Sequence, residues 1–380
     1  MLFISLLIPS LSFAGSTVIE PTTEISVMTF NVRKADMYGW EDDGTSWYNV
    51  EAVDGNDETH GEHWVLLARG DAAAQSILDI GADIVGLQEY DRVDKTAKAD
   101  IQYRLEERSG ETWYYADPAD TQPIVSRFPI VEVGNYGVRI QVSDDHDVWI
   151  FNKHFGLGSD WNQSYIPYAA GNGYSESQIL AFVEYWDNWG SAMTAIRKEL
   201  DVALASDTPV FFTGDFNEPS HLDWTPAAVA AGYIPLAVAC PLSLLFTDEL
   251  FMVDGYHQDR IQDGETEVSR WGYTWTSDNA GGWDDDRIDF VYYSDDGLEV
   301  LDSAIVGDAN IPFYDLDDVD LKAWWDSGYY TVSDHRGVVV RFLLPTLTGP
   351  GETGTTETGS TDTGVKDTGT GVTLSVLGFN

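Results

Sequence analysis

The stretch GDFN, residues 214–217, follows the apolar run 210–213 and holds residue types that could do chemistry. Short runs rich in β-branched and aromatic residues are typical of buried strands. Side chains two residues apart on a strand point to the same side, so Asp215 and Asn217 would face one point at a sheet edge. Gly, Asp and Asn also form turns, so turn and site stay equal alternatives for this stretch alone.

Polar or charged residues also stand at the ends of the other apolar runs. They are Asn31, Glu89, His154, Asp289, Asp334 and His335. Each has an ordinary explanation when taken alone, such as a turn cap for Asn31 or a satisfied edge residue for His335. Their shared placement instead indicates that they converge on one sheet edge. Oxygen ligands in a chain with a single cysteine suit Mg²⁺, Mn²⁺ or Ca²⁺ rather than zinc.

Candidate strands and helices must position these residues. The strands are residues 25–32, 83–89, 123–133, 148–155, 209–216, 287–294 and 337–343, and the helices are residues 62–80, 100–109 and 191–206. Strands and helices interleave without strict βαβ regularity, which favours an α+β domain with large mixed sheets over a doubly wound parallel sheet. No break in composition interrupts residues 24–345, so this segment is predicted to be one catalytic domain.

Five short motifs follow one another along this domain. They are TFNVR, GLQE, GDFN, RIDFVY and SDH. Together they resemble the endonuclease/exonuclease/phosphatase superfamily, which includes pancreatic-type deoxyribonucleases, abasic-site endonucleases, sphingomyelinases and inositol phosphatases. The longer string GDFNEPSHLDWT resembles a subgroup of secreted bacterial and fungal members. The resemblance implies a four-layer sandwich, in which two packed mixed β-sheets are flanked by helices.

The resemblance also implies a division of roles among the residues at the strand ends. Glu89 is expected to be the principal metal ligand, with Asn31 and Asp334 close to the same Mg²⁺ or Mn²⁺ ion. Asp215 is expected to orient or deprotonate the attacking water, with Asn217 as its partner. The family reaction is an in-line displacement at phosphorus, which needs no covalent enzyme intermediate.

The histidines complete the implied site. His335 is expected to contact a nonbridging phosphate oxygen, and Asp289 to hold His335 in one tautomer and raise its pKa. His154 matches a second phosphate-contacting histidine of the family. Relatives have Thr or a small residue where this chain has Lys153, but that side chain would point to the opposite face of the strand.

Three other features leave alternatives open. His60 and His63 could bind a second metal, although a helix entry beside the cleft is the simpler interpretation. The acidic run 284–286 could be a calcium loop, with a solvated acidic turn as the default expectation. The aromatic-rich segment 155–190 could wall a pocket that stacks on a sugar, or it could pack as a small subdomain.

Both ends of the chain differ in composition from the domain. Residues 1–14 are apolar and end in Ser-Phe-Ala, which predicts a secretory signal peptide and a secreted, cell-surface or periplasmic location. Residues 346–380 are rich in Thr and Gly and are predicted to be a disordered tail. Cys240 is the single cysteine, so no internal disulfide forms, and its apolar surroundings predict burial.

The net charge of −44 bears on the substrate because it disfavours binding of polyanions such as nucleic acid. The preferred hypothesis is a secreted, Mg²⁺-dependent phosphoesterase for a small or glycan-linked phosphate ester. We expect a monomer without stable membrane insertion. The alternatives are a nuclease, a catalytically dead binding module, and a sphingomyelinase or phospholipase. The last would need an exposed hydrophobic hairpin, for which residues 241–253 are the candidate.

Overall fold

The computed structural model describes residues 23–32, 73–90, 100–119, 121–156, 162–186, 189–276, 285–307, 333 and 335–344. Four parts of the chain lie outside these ranges: the predicted signal peptide at 1–14, the segment 58–63 with its two histidines, Asp334, and the Thr/Gly tail at 346–380. The pattern of contacts between residues divides the chain into two compact units, Met1–Thr346 and Leu347–Asn380. The signal peptide and the domain boundaries stay predictions.

The first sheet has six strands and mixes parallel and antiparallel pairs. Its strands are β1 (Glu24–Asn31), β2 (Ile84–Gln88), β3 (Tyr114–Ala116), β4 (Ile124–Ser126), β13 (Glu299–Val306) and β14 (Gly337–Leu343). Their spatial order is β13-β14-β1-β2-β4-β3. Strand β1 runs parallel to β2 and antiparallel to β14, so β1 lies at the centre of the sheet.

The second sheet also has six strands of mixed direction. They are β5 (Ile130–Val133), β6 (Gly137–Gln141), β7 (Asp147–His154), β8 (Val210–Asp215), β9 (Met252–Asp254) and β12 (Asp289–Ser294), in the order β5-β6-β7-β8-β12-β9. The parallel pair is β7 with β8, and β12 lies antiparallel to β8. A short antiparallel pair, β10 (Trp275–Thr276) and β11 (Asp285–Asp286), stands apart from both sheets.

Apolar side chains of the two sheets pack against each other and form the central core. Val27 and Val340 of the first sheet belong to the same buried cluster as Ile150, Phe211 and Val291 of the second. Burying a side chain of this size stabilises the fold by roughly 1.5–3 kcal/mol. The two sheets therefore face each other because alternate positions along these strands carry apolar side chains.

Helices cover the outer faces of both sheets. They are α1 (described over 73–80), α2 (Asp100–Ser109), α3 (Asn162–Gly171), α4 (Glu176–Trp186), α5 (Gly190–Leu204), α6 (Pro226–Ala231), α7 (Pro241–Leu244) and α8 (Gly255–Gln262), with a π-helical turn at Leu245–Glu249. Helices α1 and α2 bury Ile77 and Leu105 against the first sheet. Helix α5 buries Ile196 and Leu200 against the second. The predicted four-layer α+β sandwich is confirmed.

The prediction of one strand at residues 123–133 is wrong, because β4 and β5 belong to different sheets. The chain crosses between the sheets at Arg127, Phe128 and Pro129. The Phe128 amide donates to Ser126 Oγ, and Pro129 has no amide proton and restricts the residue before it. The apolar run therefore continues through a change of sheet, which a search for apolar runs does not detect.

The candidate hairpin at residues 241–253 is also wrong, because this segment forms α7, the π-helical turn and the start of β9. Leu242, Phe246 and Met252 are buried against the second sheet, whereas Phe251 is exposed. Cys240, just before α7, is fully buried as predicted. Among the described residues, no helix is long and apolar enough to cross a membrane.

Candidate active site

The register of the central strands brings the predicted site residues to one end of the sandwich. Asn31 pairs with Gln88 in the parallel β1–β2 ladder, which places Asn31 beside the end of β2. His154 pairs with Asp215 in the parallel β7–β8 ladder, and Asp215 pairs with Asp289 across β8 and β12. Three strands of the second sheet therefore present polar side chains at adjacent positions.

The amide of Asn31 connects the two sheets at this end. Its Nδ2 donates to Asp215 Oδ2 at 2.8 Å and to Glu89 Oε1 at 3.2 Å. Asn31 and Asp215 are both buried, and Glu89 follows β2 with partial exposure. Asn31 therefore contacts both Glu89, a second predicted metal ligand, and Asp215, the predicted water-activating carboxylate.

Asp215, Asp289 and His335 form a compact group of potential metal ligands, with one ligand atom of each within 4.8 Å of the others. His335 Nδ1 lies 2.9 Å from Asp289 Oδ2, and His335 Nε2 lies 3.6 Å from Asp215 Oδ2. Because a carboxylate accepts at Nδ1, this nitrogen carries the proton. The Asp289–His335 contact that the resemblance implies is therefore present.

Burial raises the pKa of the Asp289 carboxyl to about 6, with the charge of Asp215 acting in the same direction and His335 opposing it. The backbone around Asp289 is held by Thr274, whose Oγ1 accepts from the amides of Ile288 and Asp289. Asp289 Oδ1 is buried and has no hydrogen-bond partner within the described ranges. This carboxyl therefore has unused accepting capacity and a proton affinity suited to neutral pH.

His154 lies in the same cluster, with Nε2 at 3.4 Å from Asp215 Oδ2. That nitrogen is buried and makes no hydrogen bond with any residue that the structure describes. His154 is buried and Lys153 is half-buried, in keeping with the alternation along β7. The unusual Lys153 therefore leaves His154 in the site.

The stretch GDFN forms both the turn and part of the site. Asn217 donates its backbone amide to Asp215 Oδ1 at 2.9 Å and its Nδ2 to the Phe155 carbonyl at 2.7 Å. Asn217 and Glu89 have φ of 48° and 53°, in the left-handed region that non-glycine residues rarely adopt. Such strain persists where surrounding contacts enforce it, often at functional sites. Asn217 thus anchors Asp215 to the end of β7.

The donor chemistry at this end of the sandwich fits a hard divalent cation. Glu89 offers carboxylate oxygens beside the Asn31 amide, and the group holds no cysteine. Asp334, the third predicted ligand, lies outside the described residues. The residues that would hold Mg²⁺ or Mn²⁺ are therefore Glu89 and Asn31, with Asp334 added by the resemblance.

Sequence reasoning missed a group of four buried residues with paired charges, here called the arginine cluster: Asp223, Asp254, Arg260 and Arg287. Arg287 donates Nε and Nη2 to Asp223 Oδ2 at 2.9 and 2.7 Å and pairs through Nη1 with Asp254 at 2.7 Å. Arg260 Nη1 lies 2.9 Å from Asp223 Oδ1. Two carboxylates thus face two guanidinium groups, and this pairing gives a structural role to Asp223, the second aspartate of the string GDFNEPSHLDWT.

Other residues of that string also have structural roles. Glu218 is buried and accepts from the Leu242 amide at 2.6 Å. Trp224 Nε1 donates to Asp286 Oδ1 at 2.8 Å, and Thr225 caps α6. Asp286 is 1% exposed, so the expectation of a solvated acidic turn is wrong for this residue. The string therefore describes a packed support next to Asp215 and Asn217.

The aromatic-rich segment after His154 is a packed helical pair where it is described. Helices α3 and α4 bury Ile166 and Ile179 in one cluster with Trp224. Tyr168 and Tyr185 are exposed on the outside of this pair. Packing as a small subdomain is thus confirmed for these helices.

Known proteins resemble this chain in sequence or in structure. An uncharacterised protein of Caenorhabditis elegans, F14F9.5, is 27% identical over 238 residues, which cover 58% of this chain and 62% of that protein. A solved mannosyl-6-phosphatase of Bacteroides thetaiotaomicron is 16% identical with a TM-score of 0.45, and the match covers 84% of this chain and 100% of that one. Truncated Caenorhabditis elegans TDP2 is 16% identical with a TM-score of 0.41, covering 84% and 98%.

The family model described as the Endonuclease/Exonuclease/phosphatase family matches residues 28–335. The match begins in β1 and ends at His335, so it includes strands of both sheets and every residue that the site brings together. The chain belongs to the endonuclease/exonuclease/phosphatase family, whose members hydrolyse phosphoesters.

Proposed function

We propose that this chain is a divalent-metal-dependent hydrolase that attacks a small or carbohydrate-linked phosphate ester with water. The observation that carries the proposal is the environment of the Asp215 carboxylate. One oxygen of this carboxylate accepts from Asn31 and lies 3.4 and 3.6 Å from the Nε2 atoms of His154 and His335. A base and two imidazole groups at one point can position the attacking water and donate to phosphoryl oxygens during in-line attack on phosphorus.

Each residue has a role that follows from its contacts. Asp215 positions the attacking water and accepts its proton. With both ring nitrogens protonated, His335 donates from Nδ1 to Asp289 and presents Nε2 as a donor to a phosphoryl oxygen. His154, with its buried Nε2, is a second donor to the same group. Charge that develops on the equatorial oxygens in the transition state is thereby stabilised.

Glu89 and Asn31 are the described residues that would hold Mg²⁺ or Mn²⁺ beside the phosphate. When bound, the ion supplies Lewis-acid polarisation of the phosphoryl oxygens and offsets charge on the leaving oxygen. The contact of Asn31 with both Glu89 and Asp215 keeps the ligand side and the base side of the site together.

Charge supports a small substrate over a nucleic acid. The chain carries −44, and a polyanion would gain little from it. Arg336 follows His335, but its Nη2 donates to Tyr273 Oη at 2.9 Å and its guanidinium lies over the Tyr273 ring. This arginine is therefore already engaged within the protein. We also propose export, on the basis of the apolar residues 1–14.

A substrate panel tests the proposal. The purified protein is assayed with Mg²⁺ on p-nitrophenyl phosphate, bis-p-nitrophenyl phosphate, hexose phosphates, DNA and sphingomyelin. We expect kcat/KM on a small or glycan-borne ester to exceed that per phosphodiester of DNA by about tenfold or more, since duplex affinity comes from basic contacts. EDTA should abolish turnover, and Mn²⁺ should restore it.

Two results would contradict the proposal. Full turnover in EDTA would remove the metal from the reaction. Efficient DNA cleavage at low salt that falls steeply as salt rises would favour the nuclease, because screening weakens protein–phosphate contacts.

A further inference from the structure

Four uncharged polar side chains lie between the two sheets, directly beneath the site. They are Thr29 of β1, Gln88 of β2, Asn152 of β7 and Thr213 of β8, and each is 0% exposed. We call them the polar layer. The rest of the contact between the sheets is formed by an apolar cluster that includes Val27, Ile150 and Phe211. Polar groups are thus concentrated at the end of the interface that carries the site.

The side chains of the polar layer hydrogen-bond to one another within each sheet, and Gln88 and Asn152 connect the two sheets. Gln88 Nε2 donates to Asn152 Oδ1 at 2.6 Å and to Thr29 Oγ1 at 3.1 Å. Thr213 Oγ1 lies 3.1 Å from the same Asn152 Oδ1. Asn152 Nδ2 donates to the carbonyls of Leu87 and Pro123 at 2.9 and 2.8 Å. The layer therefore links side chains of β1 and β2 to side chains of β7 and β8.

The close approach of the strands depends on Gly86. A Cβ atom at this position would lie 2.1 Å from Thr213 Oγ1 and 2.7 Å from Asn152 Oδ1. Any other residue would therefore displace the Thr213 and Asn152 side chains. The absence of a side chain at Gly86 lets the polar layer form, and it keeps β2 and β8 in tight contact.

Each member of the polar layer lies one or two positions before a site residue in the sequence. Thr29 precedes Asn31 by two positions, so both point to the same side of β1, and the same spacing joins Thr213 to Asp215. Asn152 has this relation to His154. Gln88 is followed at once by Glu89, and the left-handed φ of 53° at Glu89 breaks the alternation, so that its carboxylate reaches Asn31.

We propose that Thr29, Gln88, Asn152 and Thr213 are positioning residues that hold the two sheets in register at the active site. This inference rests on the proposed function, because it assigns the reaction to groups from both sheets. Glu89 and Asn31 come from the first sheet, whereas His154 and Asp215 come from the second. An apolar layer of the same shape would fill the space but would lack the directional hydrogen bonds that favour one register of the two sheets.

A shift of one sheet relative to the other would change the distances between the reacting groups. A displacement of about 1 Å between reacting groups can lower the rate by about 10²-fold. One direct contact between the two halves of the site is the hydrogen bond from Asn31 to Asp215 at 2.8 Å. The polar layer acts one step below this contact, so its loss should change the geometry of the site without removing any group that touches substrate.

Thr213→Val tests the proposal, because valine has nearly the shape of threonine but puts a methyl group in place of the hydroxyl that bonds to Asn152 Oδ1, the acceptor of Gln88. We expect kcat to fall by about tenfold or more with a smaller change in KM, since the reacting groups are misplaced rather than lost. Thr213→Ser, which keeps the hydroxyl, should restore most of kcat. The matched control is Ser294→Ala. Ser294 is buried, and its Oγ accepts from the Val210 amide at 2.9 Å, at the opposite end of β8.

A second variant and a second measurement keep the test independent of turnover. Gln88→Leu removes the central donor of the layer, and near-UV circular dichroism reports whether each variant is folded. Stabilisation by Mn²⁺, read as a shift in Tm, measures metal binding without substrate. We expect the Mn²⁺ shift to be reduced in Thr213→Val and Gln88→Leu, and to be retained in Thr213→Ser and Ser294→Ala.

The outcomes separate the two proposals. If the wild type shows the Mn²⁺ shift but hydrolyses no ester of the panel, the proposed function fails, and the pattern of Mn²⁺ shifts still decides the role of the layer. Equal kcat and equal Mn²⁺ shifts in Thr213→Val and Ser294→Ala would overturn the positioning role. A wild type with neither turnover nor a Mn²⁺ shift would overturn both proposals.

Discussion

The site and the arginine cluster are both buried and polar, yet their charges are arranged differently. In the arginine cluster every charged group faces an opposite charge, as in the pairing of Arg287 with Asp223 and Asp254. Burial alone would raise the pKa of Asp223, but the Arg287 and Arg260 guanidinium groups hold it below its ordinary value. Asp223 therefore keeps its negative charge at pH values near neutrality.

The site keeps its polar groups only partly matched. Burial raises the pKa of Asp289 to about 6, and Asp289 Oδ1 has neither a hydrogen-bond nor an ion-pair partner in the part of the chain that the structure describes. A buried group without a partner costs free energy, so it is retained where a ligand or a proton supplies the partner. The difference indicates that one cluster stabilises the fold and the other is arranged for chemistry.

The largest expected effect is on the stability of the arginine cluster. Arg287→Met should lower the free energy of unfolding by about 3–5 kcal/mol, because it removes the guanidinium that faces the buried Asp254 carboxylate and leaves Asp223 with Arg260 alone. Urea unfolding followed by circular dichroism measures this change. Arg341→Met is the control, since Arg341 pairs with Asp302 at the surface and such pairs contribute about 0–1 kcal/mol. Equal losses in the two variants would show that the arginine cluster has no special structural role.

Removal of site residues should instead lower activity and leave stability nearly unchanged. His335→Ala and Asp215→Ala should each lower kcat by about 10² to 10³, the scale for loss of a transition-state donor or base. Tm should stay near the wild-type value, because the Asp289 and Asp215 carboxylates already lie close together at a cost in free energy. Steady-state kinetics and thermal melts of the same samples measure both. A large fall in Tm with unchanged kcat would reverse the comparison.

The titration of Asp289 gives a smaller and pH-dependent effect. Protonation of this carboxyl removes the charge that faces His335 Nδ1, so kcat/KM should fall as pH drops through about 6. Asp289→Asn should lower the plateau and lose this acidic limb. Since the pKa in the folded chain is raised, the same group favours folding at low pH, and its contribution is lost as pH rises through about 6.

A double variant isolates the partnership. Asp289→Asn combined with His335→Ala should be no slower than His335→Ala alone, because the two residues act as a unit. Additive losses in kcat would show that Asp289 has a separate task, such as direct binding of the metal.

The ends of the strands were the part of the site that the sequence could predict. An apolar run that stops at Asp215 or Asn31 indicates both the strand and the polar residue that follows it, and the register then brings these residues together. Helix ends were similarly visible, since Gly81 and Gly110 follow α1 and α2 with positive φ. Local spacing was sufficient here because each signal lies within one strand or one helix.

Contacts between distant segments were not predictable from spacing. The polar layer joins Thr29, Gln88, Asn152 and Thr213 from four strands, and each of them is a single polar residue inside an apolar run. Such a residue has the same sequence pattern whether its partner lies across the sheet or in solvent. Arg287 is similar, because its pairing with Asp223 spans 64 positions.

The smallest expected effect concerns backbone strain, which occurs at the site and also near the arginine cluster. Phe251, three residues before Asp254, has φ of 54° and an exposed side chain. A non-glycine residue in this region costs roughly 1 kcal/mol, whereas glycine adopts it freely but gains entropy in the unfolded chain. Phe251→Gly should therefore raise the free energy of unfolding by less than about 1 kcal/mol and leave kcat unchanged.

The matched variant at the site is Asn217→Gly, which relieves the same kind of strain at φ of 48°. It also removes the hydrogen bond from Asn217 Nδ2 to the Phe155 carbonyl, which ties the Asp215 turn to β7. Asn217→Gly should thus lower kcat by more than Phe251→Gly, with little gain in stability. Chemical unfolding and kinetics of the two variants measure the pair. If Phe251→Gly lowers kcat as much as Asn217→Gly, the left-handed backbone at the site has no role of its own in placing Asp215.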